Sequence, residues 1–87
     1  MKATSQVQVR YFASLREALG PGEALDWPAG GTLGALRDAL IDRGGRHAEV
    51  LARGRAVRCA LNRTMSDESV PVPAGAEVAF FPPVTGG

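Results

Sequence analysis

The sequence predicts a single α+β domain, in which a mixed sheet of four or five strands packs on one main helix, with short extra helices. Three observations support this fold class. The chain has 87 residues, which suffice for one small core. Segments near both ends alternate apolar and polar residues, as half-buried strands do. One segment near the middle has the period of an amphipathic helix.

The first predicted strand covers residues 6–12. Val7, Val9 and Tyr11 alternate with polar residues and therefore share one face of the sheet. Phe12 is the exception, because it is an aromatic residue on the otherwise polar face. Single exposed apolar residues are common, so Phe12 becomes informative only together with a second one.

A short helix is predicted next, over residues 14–19. Ser14 and Glu17 have the spacing of a capping box, in which each side chain satisfies a backbone N–H of the first turn. Gly20 follows the last apolar residue and ends the helix. A second strand is predicted over residues 23–27.

Thr32 is the predicted N-cap of the main helix. Arg43 is expected in its last turn, where the helix dipole favours a cation, and Gly44 ends it. Its apolar face consists of Leu33, Leu36, Leu40 and Ile41.

A further helical turn is expected over residues 47–52, and a strand over residues 57–61. The segment 70–73 contains two prolines, which exclude it from the centre of a sheet. The last strand covers residues 77–81, with Phe81 on the face opposite the core. If the first and last strands pair at the centre and the helix closes over one face, the result is a β-grasp arrangement.

Parallel pairing of those two strands would place Phe12 and Phe81 near one end of the sheet, with Met65 close to them. Such a cluster indicates an exposed apolar patch that binds a partner. The alternative is a second small core under the irregular segment 63–73.

Composition excludes several classes of function. Ten basic and nine acidic residues give a net charge of +1, and the arginines are scattered singly, which argues against nucleic acid as the main partner. The single cysteine excludes an intramolecular disulfide and indicates a reducing compartment. No signal peptide and no membrane-spanning segment are recognised, so a cytoplasmic protein is expected.

No catalytic or metal-binding motif is found. His47 is expected at the surface or partly packed, and Cys59 is expected in the core as an inert thiol. One cysteine and one histidine do not form a four-ligand metal site. The adjacent carboxylates Asp67 and Glu68 are expected in a solvated loop.

The C-terminal end is therefore the best candidate for chemistry. The sequence predicts a domain over residues 1–81 and an extended tail over residues 82–87. Pro82 and Pro83 stiffen the tail, and Gly86 and Gly87 leave its carboxylate free of side-chain bulk. Such a tail can be threaded into a narrow active site of another protein. The alternative is an ordinary polar chain end.

Three segments resemble the small subunits of molybdopterin synthase, which are ubiquitin-like sulfur carriers. They are residues 9–17 (VRYFASLRE), 60–64 (ALNRT) and 77–87 (EVAFFPPVTGG). The resemblance spans almost the whole chain, and the last segment is the most specific. Two departures concern loop detail: Gly75-Ala76-Glu77 stands where Gly-Asp-Glu is usual, and Met65 where leucine is usual.

The resemblance implies a function for the tail. An ATP-dependent adenylating enzyme would activate Gly87, and a sulfur donor protein would convert it to a thiocarboxylate. The residues that enter the large subunit's active site would be Pro82, Pro83, Val84, Thr85 and Gly86. Sulfur would pass there to cyclic pyranopterin monophosphate, within a heterotetramer.

The resemblance further implies that Phe12, Met65 and Phe81 bind the large subunit, that this chain binds no cofactor, and that ATP is used by the activating partner. No side chain of this chain would be catalytic, since the synthase active site would lie on the large subunit. Two alternatives stay open: a thiocarboxylate carrier for thiamine, cysteine or tRNA thiolation, and a β-grasp interaction module with an inert tail.

Overall fold

The computed structural model describes residues 4–28 and 30–83. This part of the chain forms five strands and three helices. In chain order they are β1 (Thr4–Tyr11), α1 (Ala13–Leu19), β2 (Gly22–Pro28), α2 (Leu33–Ile41), α3 (Gly45–Leu51), β3 (Arg58–Leu61), β4 (Thr64–Ser66) and β5 (Glu77–Phe81).

The strands form one mixed sheet in the order β2-β1-β5-β3-β4. The first and last strands of the chain are central and parallel, with Tyr11 opposite Phe80. The other neighbouring pairs are antiparallel. The predicted parallel pair at the centre is therefore confirmed, and with it the β-grasp arrangement.

The core lies between the inner face of the sheet and the helices. The alternating residues of β1 and β5 point into it, as their sequence pattern predicts, and the leucines of α2 pack against them. Burial of each such side chain contributes about 1.5–3 kcal/mol. The largest fully buried side chains of the two central strands are Val7, Val9, Tyr11, Val78 and Phe80.

The predicted start of α2 is confirmed, and its predicted end is partly wrong. The hydroxyl oxygen of Thr32 accepts a hydrogen bond from the backbone N–H of Ala35 at 3.1 Å. The helix ends at Ile41, so Arg43 lies beyond its last turn. Arg43 forms an ion pair with Glu23 on β2 instead.

The predicted capping box of α1 is wrong. Phe12 is the N-cap, with extended backbone and no side-chain cap. Its carbonyl oxygen accepts from the N–H groups of Leu15 and Arg16 at 3.1 and 3.4 Å. The helix begins earlier than predicted because β1 ends at Tyr11 and the chain enters the first helical turn directly after it. Ser14 thus lies inside the helix, where it cannot cap.

Strand β4 was not predicted. Asn62 and Arg63 have φ of 48° and 69°, which is the left-handed conformation of a two-residue hairpin turn. Residues 64–66 then pair antiparallel with β3. Three residues are too few for an alternating pattern to be recognised.

Helix α3 confirms the predicted helical turn and begins earlier, at Gly45. The segment after it is held by Arg37, a buried residue of α2. Its guanidinium donates to the carbonyl oxygens of Leu51 at 2.8 Å, Ala52 at 2.7 Å and Arg55 at 3.1 Å. Arg37 therefore fixes the connection between α3 and β3.

The prediction of a solvated loop is wrong for Glu68. Its carboxylate accepts from Arg37 Nη1 at 2.7 Å and also forms an ion pair with Arg53. Partial burial alone would raise the pKa of Glu68, but the hydrogen bonds from the two guanidinium groups lower it. The carboxylate is thus a structural partner of a buried cation, which local sequence does not indicate.

Candidate partner-binding site

The outer face of the sheet carries the predicted patch residues. On β5, Glu77, Ala79 and Phe81 alternate with the buried Val78 and Phe80 and therefore point away from the core. Phe12 follows β1 directly and continues the outward series of that strand, because it comes next after the buried Tyr11. Its side chain is 44% exposed. Since β1 and β5 are parallel, Phe12 stands one position past the Tyr11–Phe80 pair, at the level of Phe81.

The strand register brings Met65 to the same face. Ala79 pairs with Ala60 on β3, and Ala60 pairs with Met65 on β4. Met65 is 56% exposed. Because alanine side chains are small, Ala60 and Ala79 form a shallow apolar strip between the larger side chains of Phe12 and Met65. Part of this strip is a shallow depression of about 350 Å³, lined by Arg10, Phe12, Arg63, Glu77 and Ala79.

The three predicted patch residues thus share one face, at the end of the sheet where β5 ends. The alternative of a second small core does not apply, because the apolar residues at the end of the segment 63–73 join the main core. Val72 is buried in the main core, and Val70 packs against that core. The role of Phe12, Met65 and Phe81 in binding a partner stays a prediction.

Charged side chains surround this apolar strip. The carboxylate of Glu77 forms an ion pair with Arg10, whose Nε lies 2.9 Å from Oε2, and accepts a hydrogen bond from Arg63 Nε at 3.4 Å. Arg58 stands opposite Phe81 in the β3–β5 pair. Strand alternation places Arg10 and Arg58 on the outward face, but the sequence did not connect Arg58 with Phe81, because that relation depends on the β3–β5 register.

The start of the predicted tail lies beside α1 and the α3–β3 connection. The backbone N–H of Phe12 donates to the carbonyl oxygen of Phe80 at 3.1 Å. Pro82 follows β5 and borders a cleft of about 150 Å³, whose other walls include Ser14 and Val57. The structure describes the chain up to Pro83. The predicted tail residues Val84, Thr85, Gly86 and Gly87 lie outside the described residues, and the division at residue 81 stays a prediction.

His47 is partly packed, as predicted, and belongs to a polar cluster on the other side of the sheet. Its Nε2 lies 2.9 Å from Glu23 Oε2, which also accepts from the Tyr11 hydroxyl at 2.7 Å. Partial burial would raise the pKa of Glu23, but hydrogen bonds from Arg43, His47 and Tyr11 outweigh it and lower the pKa to about 2. Burial, followed by the Glu23 hydrogen bond, raises the pKa of Tyr11. The cluster joins β1, β2 and α3.

Cys59 is buried, as predicted, and its thiol donates to the carbonyl oxygen of Ser66 at 3.3 Å. Burial raises the pKa of this thiol, so it stays protonated and weakly nucleophilic at neutral pH.

Within residues 4–28 and 30–83, no group of three or more His, Cys, Asp or Glu side chains is placed to hold a metal ion. The helices described are also too short and too polar for one of them to cross a membrane.

Comparison with known proteins identifies the family. The model of the ThiS family matches residues 9–87, which include Phe12, Met65, Phe81 and the C-terminal end. This chain belongs to the ThiS family. Two curated relatives support the assignment to the family.

The molybdopterin synthase sulfur carrier subunit of Escherichia coli (strain K12) is 39% identical over 84 residues, which cover 93% of this chain and 99% of the relative. The protein of the same name from Haemophilus influenzae is 36% identical over 81 residues, with the same coverage. The resemblance identified from the sequence is therefore confirmed.

Solved structures confirm the fold of this ThiS-family chain. SAMP1 from Haloferax volcanii superposes with a TM-score of 0.75 at 26% identity and covers 95% of this chain and all of that one. A chain of the complex of molybdopterin-converting factor subunits 1 and 2 from Helicobacter pylori gives a TM-score of 0.66 at 25% identity, covering 94% of this chain and 99% of that one. A Caldiarchaeum subterraneum ubiquitin gives 0.60 at 12% identity, covering 98% and 100%. The fold is the ubiquitin-like β-grasp.

Proposed function

We propose that this chain is the sulfur carrier subunit of molybdopterin synthase. The observation that carries the proposal is the 39% identity to a protein of that name over 93% of this chain and 99% of the relative. The match extends over nearly the full length of both sequences. The chain also ends in Gly86-Gly87, the terminus on which the proposed chemistry depends.

The reactive group in this proposal is the carboxylate of Gly87. A free C-terminal carboxyl group has a pKa of about 3.3–3.7, so at neutral pH it is an anion and a poor electrophile. Adenylation by an ATP-dependent activating enzyme forms an acyl–phosphate bond and releases pyrophosphate. The persulfide of a sulfur donor protein then displaces AMP to form an acyl disulfide, and a second thiol reduces its S–S bond, which leaves a thiocarboxylate and a donor disulfide. This chain binds no cofactor of its own in the scheme, because the partner uses the ATP.

The thiocarboxylate sulfur is the nucleophile of the next step. It is transferred to cyclic pyranopterin monophosphate in the active site of the large subunit, within a heterotetramer. The six residues 82–87 would span roughly 20 Å if fully extended, at about 3.3–3.6 Å per residue. That reach allows the carboxylate to enter a site that the folded domain cannot enter.

The docking surface in this proposal is the outer face of the sheet around Phe12, Met65 and Phe81. Its position next to the end of β5 supports the assignment, since a partner bound there also meets the tail. The solved complex of subunits 1 and 2 from Helicobacter pylori supports a second subunit as the occupant. The cytoplasmic location stays a prediction from the sequence.

The proposal is tested by reconstitution. The chain is combined with the large subunit, the adenylating enzyme, a sulfur donor, ATP and cyclic pyranopterin monophosphate, and molybdopterin formation is measured. The full chain supports product formation, whereas deletion of Gly87 abolishes it.

The control is a chain with one serine added after Gly87, which keeps every native residue and blocks the reactive terminus. Both variants should melt at the temperature of the full chain. Product formed by either variant would contradict the proposal. Sulfur transfer only to the acceptor of thiamine, cysteine or tRNA thiolation would assign the chain to another pathway.

A further inference from the structure

We propose that the outer sheet face binds a protein surface whose apolar centre is edged with carboxylates, and that Arg58 determines this specificity. The inference rests on the proposed function and adds the charge pattern of the partner. Two sets of residues define the face. Its apolar centre is Phe12, Ala60, Met65, Ala79 and Phe81, and its cationic rim is Arg10, Arg58 and Arg63.

Arg58 lies at the point where the face meets the base of the tail. It is the first residue of β3 and pairs with Phe81, the last residue of β5. The next residue, Cys59, is buried, so Arg58 points outward. Arg58 and Met65 both line a cleft of about 370 Å³ at the edge of the face. A partner that covers Phe81 and Met65 therefore also meets the Arg58 guanidinium.

The rim has an excess of positive charge. Arg10 and Arg63 share the single carboxylate of Glu77. Within the described residues, Arg58 belongs to none of the ion pairs, although several other arginines do. Asp67 and Glu68 line the same cleft as Arg58, and Glu68 is already paired with Arg37 and Arg53. Three guanidinium groups against the carboxylates of Glu77 and Asp67 leave an excess of one positive charge on the face.

The arrangement favours a protein over other occupants. A second copy of this chain would bring like-charged rims together across a two-fold axis, which is unfavourable. Nucleic acid would leave the apolar strip between the arginines without a matching surface, and its affinity depends on many phosphate contacts. Carboxylates on a protein partner satisfy the rim and leave the centre to apolar contacts. They also steer association, since rim charges act mainly on the association rate.

The inference is tested by the association rate constant of the full chain with the purified large subunit, measured by stopped flow at low and high salt. Arg58→Glu should lower the rate constant about threefold to tenfold at low salt. The difference should shrink in about 1 M salt, where the Debye length is about 3 Å. Arg58→Gln should give an intermediate rate.

Arg46→Glu is the matched control. Arg46 is exposed on α3, on the helix side of the sheet, and the substitution changes net charge by the same amount. Its association rate should stay within about twofold of the wild type. Melting temperatures check that each variant folds, and Arg63→Gln replaces Arg58→Glu if the latter is unfolded.

The possible results are distinct. Equal rates for wild type and Arg58→Glu, or equal slowing by Arg46→Glu, would overturn the inference and leave the proposed function standing. No binding by the wild type would overturn the proposed function, and the inference with it. A dimer of the free chain that Arg58→Glu dissociates, or an RNA oligonucleotide that it releases, would assign the face to that occupant and overturn the inference.

Discussion

The backbone N–H of Phe12 donates to the carbonyl oxygen of Phe80 at 3.1 Å, one residue before Phe81. This bond extends the parallel pairing of β1 and β5 into the first turn of α1. It therefore fixes the outward aromatic Phe12 next to the segment from which the tail departs. The candidate docking surface and the base of the tail are therefore adjacent, so a partner that binds the face also meets the chain where β5 ends.

The first prediction concerns this apolar surface. Phe81→Asp and Phe12→Asp should each weaken binding of the large subunit by about 2 kcal/mol or more, since central aromatic residues dominate interface energy. Their effect on folding should be smaller, because neither side chain belongs to the core cluster. Size-exclusion chromatography of the mixed subunits and thermal melting measure the two effects. An unchanged complex would contradict the proposed docking surface.

The second prediction compares two hydroxyl side chains at helix starts. Thr32→Ala should destabilise the fold by about 1 kcal/mol, because it removes the acceptor for the Ala35 N–H. Ser14→Ala should change stability by less than about 0.5 kcal/mol, because Ser14 caps no helix here. Urea unfolding of the two variants measures the difference. A larger loss for Ser14→Ala would show that α1 has the capping box predicted from its sequence.

The third prediction concerns the buried guanidinium of Arg37. Arg37→Met should destabilise the fold by about 3–5 kcal/mol, because it leaves three carbonyl oxygens without this donor and Glu68 with Arg53 as its remaining guanidinium partner. The control Arg46→Met removes an exposed arginine of α3 and should cost less than about 0.5 kcal/mol. Urea denaturation tests both, and equal losses would mean that the Arg37 network contributes little.

The fourth prediction is the pH dependence of the Glu23 cluster. The folded-state pKa of Glu23 is about 2, below its ordinary value of 4.5. Its ionised form is therefore stabilised in the native state, and this stability is present above about pH 4.5 and lost as pH falls towards 2. Glu23→Gln should cost about 1–2 kcal/mol near pH 7, after allowance for solvent screening, and progressively less as the solution is acidified.

Urea unfolding of both proteins at several pH values measures this difference. Glu49→Gln is the control, since Glu49 is an exposed carboxylate whose ion pair with Arg46 is long, at 3.4 Å. It should show little difference at any pH. A wild-type advantage over Glu23→Gln that stays constant down to pH 2 would contradict the role assigned to the ionised carboxylate.

Short-range patterns predicted the fold and the main features of the candidate site. Alternation assigned Val7, Val9 and Tyr11 to the core and Phe12 to the opposite face, and the same rule separated Phe80 from Phe81. These assignments need only the period of a strand. Central pairing of the two strands was only the condition for a β-grasp arrangement, and the β1–β5 pair meets it.

Features that depend on contacts between distant residues were not predictable. Arg37 and Glu68 are 31 residues apart, and Tyr11 and Glu23 are 12 apart. Neither pair has a local pattern that indicates it. The same holds for Arg58, whose position beside Phe81 follows from the register of β3 on β5. The start of α1 was mispredicted because the strand before it, and not Ser14, determines where the helix begins.

The account's central claim is that Gly87 becomes a thiocarboxylate. The most direct test is the intact mass of the chain after incubation with the adenylating enzyme, ATP and a sulfur donor. The account predicts the mass increase that corresponds to replacement of one oxygen by sulfur, located at Gly87 by fragmentation and absent when ATP is omitted. An unchanged mass under conditions in which the enzyme thiocarboxylates a known carrier would contradict it.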